Sequence, residues 1–243
     1  MPNLAVPYPS GGKIAKLTGS GYHRDLLVGG SFDYDVFEDK FWGDALLDEY
    51  PAAKTNGTSA AVTFTEHNSN GYLDLVSGTT DNGYAGQGLG LQFNGDRGVL
   101  VEFIIKTPAA DSTMKWEIGL SDADDDAGAV NQKAATTTAT ATDFAVFCYD
   151  TDDDDNIATI SANGGTVTTT QDIVAAAVST TYRLAVRVNG DTVTFWLNGE
   201  PVGAGHTIEG GNDLTPWAFV QARAGAASRT LQLHKWRVTQ PAW

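Results

Sequence analysis

Apolar and polar residues alternate in two runs between Tyr182 and Gly203. In each run every second residue is apolar, which is the period-two pattern of a half-buried β-strand. The pair Asn189-Gly190 separates the runs, and both of its residues tolerate the positive φ that a two-residue hairpin turn requires. A second pair, Asn198-Gly199, ends the second run. The stretch therefore predicts an antiparallel hairpin with one apolar face, and such a hairpin needs another layer to cover that face.

The rest of the chain predicts further strands rather than helices. Asn-Gly pairs recur at residues 56–57, 70–71, 82–83, 94–95 and 163–164 and separate short apolar runs. The run from Val99 to Thr107 alternates in the same way and predicts a central strand. The 27 glycines and the scarcity of helical periodicity point in the same direction. The pattern predicts an all-β fold, a jelly-roll β-sandwich of two antiparallel sheets.

The pattern changes near Phe32 and divides the chain into two parts. Residues 1–31 are rich in Pro, Gly and Ser and show no sustained period, so we predict an extended N-terminal arm there. From Phe32 onwards aromatic residues are dense and must be buried, so we place the jelly-roll domain at residues 32–243. The arm carries a small cluster of basic residues: Lys13, Lys16, His23 and Arg24. It is either a disordered leader or an anchor that orders on an acidic partner surface.

Charge and composition exclude several kinds of partner. The chain has 30 acidic and 15 basic residues and a formal net charge of −15, so it repels nucleic-acid backbones and anionic membranes. We find no signal-peptide pattern and no apolar stretch near the ~20 residues of a membrane span, so we expect synthesis in a cytoplasm. The lone Cys148 has no disulfide partner within the chain and is predicted to be a small buried apolar residue.

Several segments carry a resemblance to a known family. The hairpin YRLAVRVNGDTVTFWLNGEPVG, the segment GLSDADDD and the ending LTPWAFVQARAGAASRTLQLHKWRV resemble the concanavalin A-like (laminin G-like) jelly rolls of structural proteins of tailed bacteriophages. The segment FEDKFWGDALLDEY is similar to the start of such domains. The resemblance covers about residues 32–240 and implies a virion protein, although this sandwich also occurs in lectins and glycan-cleaving enzymes.

A catalytic site is not expected. Some enzymes with this sandwich carry their acids as Glu-x-Asp-x-x-Glu on one strand, and the nearest match begins at Glu117, with Gly119 in the middle position and Asp122 in the last. An odd number of positions separates Glu117 from Asp122, so a regular strand directs them to opposite faces. No Gly-x-Ser-x-Gly motif frames a serine, and the four histidines lack metal-ligand spacing. We therefore expect a protein that is not an enzyme.

Two acidic clusters are candidates for weak calcium binding. Carboxylates in a loop can wrap a hard cation, although neither cluster matches the EF-hand pattern, and solvated acidic loops are the alternative. The clusters consist of Asp122, Asp124, Asp125 and Asp126, and of Asp150, Asp152, Asp153, Asp154 and Asp155.

Two tryptophans are candidates for a glycan or subunit contact. The alternation places Trp196 on the polar side of its hairpin, with Thr192 and Thr194, and places Trp236 on one face with Gln232 and His234. An outward tryptophan can bind a sugar, contact a neighbouring subunit or lie under a loop.

These observations together suggest a structural role. We expect a phage virion protein, a capsid decoration protein on the head surface that binds the major capsid protein or another virion protein and self-associates. The alternative is a glycan-binding module of a tail fibre or adsorption apparatus.

Overall fold

The computed structural model describes residues 13–19, 22–28, 34–41, 50–65, 71–123, 128–133, 136–225 and 227–241, and for residues 13–19, 22–28, 34–35 and 132–133 only the backbone. The described chain is almost entirely β-strand. The strands are β1 (Lys13–Gly19), β2 (Tyr22–Val28), β3 (Tyr34–Asp39), β4 (Lys54–Asn56), β5 (Ala61–Thr65), β6 (Tyr72–Val76), β7 (Tyr84–Gly88), β8 (Phe93–Asn94), β9 (Val99–Lys106), β10 (Met114–Ser121), β11 (Val130–Lys133), β12 (Thr136–Ala139), β13 (Phe144–Asp150), β14 (Asn156–Asn163), β15 (Thr166–Ala175), β16 (Thr181–Asn189), β17 (Thr192–Leu197), β18 (Glu200–Val202), β19 (Asp213–Ala222) and β20 (Thr230–Pro241), with a 3-10 helix at Gly95–Arg97.

The strands form two large antiparallel sheets. The ten-stranded sheet has the order β1-β2-β3-β20-β9-β16-β17-β18, with β6 on β20 and β5 on β6. The eight-stranded sheet has the order β15-β14-β13-β10-β19-β7-β4, with β8 on β19. The short hairpin β11–β12 pairs with neither sheet. The predicted all-β jelly-roll sandwich is confirmed, and no helix in the described chain is long and apolar enough to span a membrane.

The hairpin β16–β17 follows the predicted alternation. Inward-facing side chains of β16 are buried and those between them are more exposed. Leu197 pairs with Glu200, so Asn198 and Gly199 form the predicted turn, with φ of 53° and 93°. The first turn lies one residue later than expected, because Asn189 already pairs with Thr192.

The main core lies between the two sheets. It includes the inward-facing residues of β9, β16 and β20 and, from the opposite sheet, Trp116, Ile118 and Phe147. Burial of these apolar surfaces is the main stabilising contribution to the sandwich.

A second, smaller core covers part of the outer face of the eight-stranded sheet. Residues of the β11–β12 segment pack there on outward-facing apolar residues of β13 and β14. Its buried members are Ala129, Val130, Ala141, Phe144, Val146, Cys148, Ala158, Ile160 and Ala162. As predicted, Cys148 is a buried free cysteine. Because this sheet is covered on both sides, every residue of β10 and β13 is buried and the period-two pattern is absent there.

Two segments of the predicted N-terminal arm are strands. β2 pairs with β1 and with β3, so the β1–β2 hairpin continues the ten-stranded sheet at its edge. The hairpin register places positions 16 and 23 on one of its faces and positions 13 and 24 on the other. The four basic residues of the predicted anchor are therefore divided between two faces. The boundary at residue 31 stays a prediction.

His206 connects the edges of the two sheets. Its ring nitrogens contact the hydroxyls of Thr159 at 3.1 Å, Ser161 at 3.1 Å and Thr170 at 3.0 Å, all on the eight-stranded sheet. Its carbonyl accepts a hydrogen bond from the Val193 N–H of β17 in the ten-stranded sheet. Burial lowers the pKa of His206 below its ordinary value.

Protonation of His206 should weaken the fold. Because the unfolded chain takes up this proton near pH 6.5 and the native state only at lower pH, the unfolded state binds more protons between these values. We expect the free energy of unfolding to decrease as the pH falls from about 7.5 to about 5.5, and the decrease to be smaller in His206→Gln. Urea titrations of both proteins across this pH range measure the difference in the free energy of unfolding. The contributions of titrating groups that both proteins share cancel in this difference. Identical slopes would contradict this assignment.

Candidate functional site

A groove lies on the outer face of the ten-stranded sheet, across β9, β16 and β17. We call it the Trp196 groove. It is open to solvent, with a volume of about 550 Å³. Its lining combines an indole, aliphatic surface and several charged or amide groups: Leu100, Glu102, Phe103, Ile104, Arg183, Leu184, Ala185, Arg187, Trp196, Asn198, Gly199 and Lys235.

The sheet register explains the shape of the groove. Ala185 pairs with Trp196 on one side and with Glu102 on the other, so these three residues form one row across the sheet. Adjacent strands lie about 4.8 Å apart, and the methyl group of Ala185 stands between two much larger side chains. The groove floor is therefore Ala185, and the half-buried indole of Trp196 forms one wall. The prediction that Trp196 lies on the outer side of its hairpin is confirmed.

Two arginines flank the floor along β16. Arg183 and Arg187 are both exposed and lie on the same face as Ala185. Neither has an acidic group within 4.0 Å in the part of the chain that the structure describes. Asn198 lies beside Arg183, where its Oδ1 accepts the Arg183 backbone N–H at 3.0 Å. This leaves the Asn198 amide nitrogen able to donate towards the groove.

Two other basic residues of this face, Lys235 and Arg237, have acidic neighbours. Lys235 Nζ lies 3.1 Å from Glu38 Oε2. Arg237 lies 3.8 Å from Glu102 and 3.8 Å from Glu38. Glu102 is therefore partly neutralised by Arg237, whereas Arg183 and Arg187 contribute positive charge to a protein whose net charge is −15.

The placement of Trp236 on the polar face is wrong. A β-bulge between Leu233 and Lys235 shifts the register of β20 against β9, so Trp236 points into the sandwich and has no exposed surface. Its Nε1 donates to the Tyr50 hydroxyl at 2.8 Å, and its ring stacks on Tyr50 with centroids 5.6 Å apart. Trp236 is a core residue and offers no surface to a glycan or a subunit.

Asp150 of the second acidic cluster is also not a free ligand. Its carboxylate is buried and accepts hydrogen bonds from Arg223, including one from Nε at 2.8 Å. Burial raises the pKa of Asp150, and the hydrogen bond from Arg223 offsets part of that rise. Asp152 lies 3.7 Å from the same guanidinium. The guanidinium of Arg223 therefore supplies a positive charge beside both carboxylates.

Three other aspartates of the two clusters accept hydrogen bonds within the protein. Asp154 accepts the Asn156 N–H at 2.7 Å, Asp153 accepts from the Gln171 amide at 3.0 Å, and Asp122 accepts the Thr142 N–H at 3.1 Å. Asp124, Asp125 and Asp126 lie outside the described residues. No group of three or more His, Cys, Asp or Glu residues that could hold a metal ion occurs among the described residues. Calcium binding by these loops, including Asp155, stays a prediction.

Glu117, the nearest candidate for a catalytic acid, lies beneath the β11–β12 segment. It is fully buried, with Oε1 2.5 Å from Lys115 Nζ. Its two carboxylate oxygens accept the backbone N–H groups of Ala129 at 2.6 Å and Val130 at 3.2 Å, and Lys115 donates to the Val130 carbonyl. A side chain at Gly128 would lie 2.6 Å from Glu117 Oε1, so only glycine fits there. The Glu117 carboxylate therefore holds the β11–β12 segment against the outer face of the eight-stranded sheet.

Sequence reasoning did not single out the arginines of the groove. The signal was present, because Arg183 and Arg187 alternate with the apolar residues of β16 and because Trp196 was placed on the same side of the hairpin. The sequence did not predict that β9 and β20 supply residues to the groove, because this depends on how strands distant in sequence pair in the sheet.

Solved structures of other proteins are similar to this fold. No protein-family model and no curated protein matches the sequence. A protein of unknown function from Shewanella oneidensis MR-1 is similar in structure, with 15% identity, a TM-score of 0.59, and coverage of 89% of this chain and 91% of that one. A glycoside hydrolase family 16 endo-glucanase from Bacteroides ovatus has 12% identity, a TM-score of 0.56, and coverage of 83% and 99%. Peanut lectin has 12% identity, a TM-score of 0.55, and coverage of 85% and 97%. The chain has the concanavalin A-like jelly-roll fold.

Proposed function

We propose that this protein is a non-catalytic saccharide-binding module and that the Trp196 groove is its binding site. The observation that carries the proposal is the half-buried indole of Trp196 beside a narrow floor, with Arg183, Arg187 and Asn198 around it. Saccharides present both apolar ring faces and hydroxyl groups. An aromatic wall with a few convergent polar groups is suited to such a ligand.

The size and rigidity of the site support this proposal. A volume of about 550 Å³ lies in the range of small-ligand sites, roughly 300–1,000 Å³. Its lining residues come mainly from three neighbouring strands of one sheet, which hold their side chains more firmly than loops do. The lectin and the glycoside hydrolase among the structural neighbours lend general support to a saccharide ligand.

Removal of the Trp196 indole should abolish most of the binding. Because Trp196 lies on the outer face of the sheet, we expect Trp196→Ala to fold normally and to weaken saccharide binding at least about tenfold, a change of about 1.4 kcal/mol. A glycan array identifies ligands of the full chain, and calorimetry then compares the variants. The control is Leu91→Ala, which removes another exposed apolar side chain, 45% exposed and outside the groove. Equal weakening by both substitutions, or none by Trp196→Ala, would exclude the groove.

The burial of Glu117 supports the absence of catalysis. Glu117→Gln leaves the Lys115 ammonium buried without a counter-charge, so we expect a loss of about 3–5 kcal/mol in the free energy of unfolding. The double variant Lys115→Met/Glu117→Gln should regain much of this loss, because it removes both charges. Denaturant titrations compare the three proteins. Hydrolysis of an oligosaccharide by the wild-type protein, lost in a Glu117→Gln variant of unchanged stability, would show that Glu117 is catalytic instead.

A virion location is the second part of the proposal. The β1–β2 hairpin, which carries Lys13, Lys16, His23 and Arg24, forms the edge of the ten-stranded sheet in the described chain. Such an edge suits attachment to a major capsid protein or another virion protein, or to a second copy. We expect the protein on phage heads by immuno-electron microscopy, and the charge reversal Lys13→Glu/Lys16→Glu/Arg24→Glu to remove it from them. Labelling of tails alone would favour an adsorption role, and its absence from particles would exclude both.

A further inference from the structure

We propose that the Trp196 groove selects an acidic saccharide, a chain whose sugar carboxylates are bound by Arg183 and Arg187. The inference rests on the proposed saccharide-binding function and specifies its ligand class. It goes beyond the general likeness to lectins because it depends on charges particular to this face.

The groove floor lies between two positively charged side chains. The whole chain has a formal net charge of −15, yet the two residues that flank the groove floor are both arginines. Within the described chain, neither guanidinium lies within 4.0 Å of a carboxylate, whereas Lys235 and Arg237 on the same face have acidic neighbours. Arg183 and Arg187 therefore have donors available for an external anion.

The spacing of the two arginines suits an extended ligand. Arg183 and Arg187 lie four residues apart on β16, which is about 13 Å along a strand at about 3.3 Å per residue. This separation exceeds the screening length of about 8 Å at physiological salt, so their mutual repulsion is small without a ligand. The low floor at Ala185 lies between them. A saccharide chain lying along β16 would meet a guanidinium near each end.

The guanidinium and indole groups of the groove suit different parts of an acidic sugar. A guanidinium presents parallel N–H donors that match the two oxygens of a carboxylate, and such charge-assisted pairs are stronger than bonds to hydroxyls. Trp196 stands across the floor from Glu102 and offers its indole to a sugar ring. A long nucleic acid would extend past this small basic site onto a strongly acidic protein, which disfavours it. A uronic acid oligosaccharide satisfies the indole and the arginines together.

The test compares ligands that differ only in charge. Full-length protein is titrated by calorimetry with an oligogalacturonate and with its methyl ester, which has the same rings and no free carboxylates. We expect the acid to bind at least about tenfold more tightly than the ester at low salt. We also expect this preference to decrease as salt is added.

Variants assign the preference to the two arginines. Arg183→Gln and Arg187→Gln should each reduce the acid-over-ester preference severalfold, and Arg187→Lys should restore part of it. The matched control is Lys54→Gln, which removes one positive charge from β4 in the other sheet. An equal effect of Lys54→Gln would mean that overall charge alone produces the preference, which would overturn the inference.

The outcomes separate this inference from the proposed function. Equal binding of acid and ester, with both lost in Trp196→Ala, overturns the acidic ligand and leaves the saccharide site standing. Tighter binding of a sulfated oligosaccharide or of oligothymidylate than of oligogalacturonate also overturns the acidic-sugar assignment. If no saccharide of either kind binds, the proposed function fails and the inference fails with it.

Discussion

The buried ion pair between Lys115 and Glu117 lies between β10 and the β11–β12 segment and holds that segment against the outer face of the eight-stranded sheet. Two charges removed from water are tolerated only when hydrogen bonds and mutual attraction compensate for lost hydration. Here the backbone of Ala129 and Val130 supplies those hydrogen bonds, so the β11–β12 segment is held against the outer face of β10. The apolar residues of the second core lie under the same segment. The eight-stranded sheet consequently has a covered region on its outer side.

The ten-stranded sheet has a different outer side. Strands β9 and β16 alternate, with buried apolar residues towards the core and with Glu102, Arg183 and Arg187 among the outward residues. At the row that contains Ala185 the alternation leaves a depression, and Trp196 stands beside it. The groove therefore lies on the ten-stranded sheet. Glu117, the nearest match to a catalytic acid of glycan-cleaving enzymes, lies on the other sheet and makes a structural contact.

The sequence predicted the strands that have one exposed face, and it misplaced a side chain where a bulge intervenes. The period-two pattern located β9, β16 and β17 and placed Trp196 outward, because half-buried strands have that pattern. Trp236 was misplaced because one extra residue in β20 reverses the faces after it, and nothing in the local composition marks that bulge.

Contacts between residues far apart in the chain could not be predicted from the sequence either. Asp150 belongs to a run of aspartates that is typical of a solvated or metal-binding loop, yet it is buried against Arg223, 73 positions further along the chain. The same limit applies to the Trp196 groove, since strands far apart in sequence bring its charged residues together.

The most direct test of this account is a crystal structure of the full-length protein with the oligosaccharide it binds most tightly. The account predicts electron density for the sugar over Ala185, with a ring against the Trp196 indole and the β11–β12 segment still in contact with Glu117. Density on the outer face of β10, with that segment displaced and Glu117 exposed to the ligand, would contradict it.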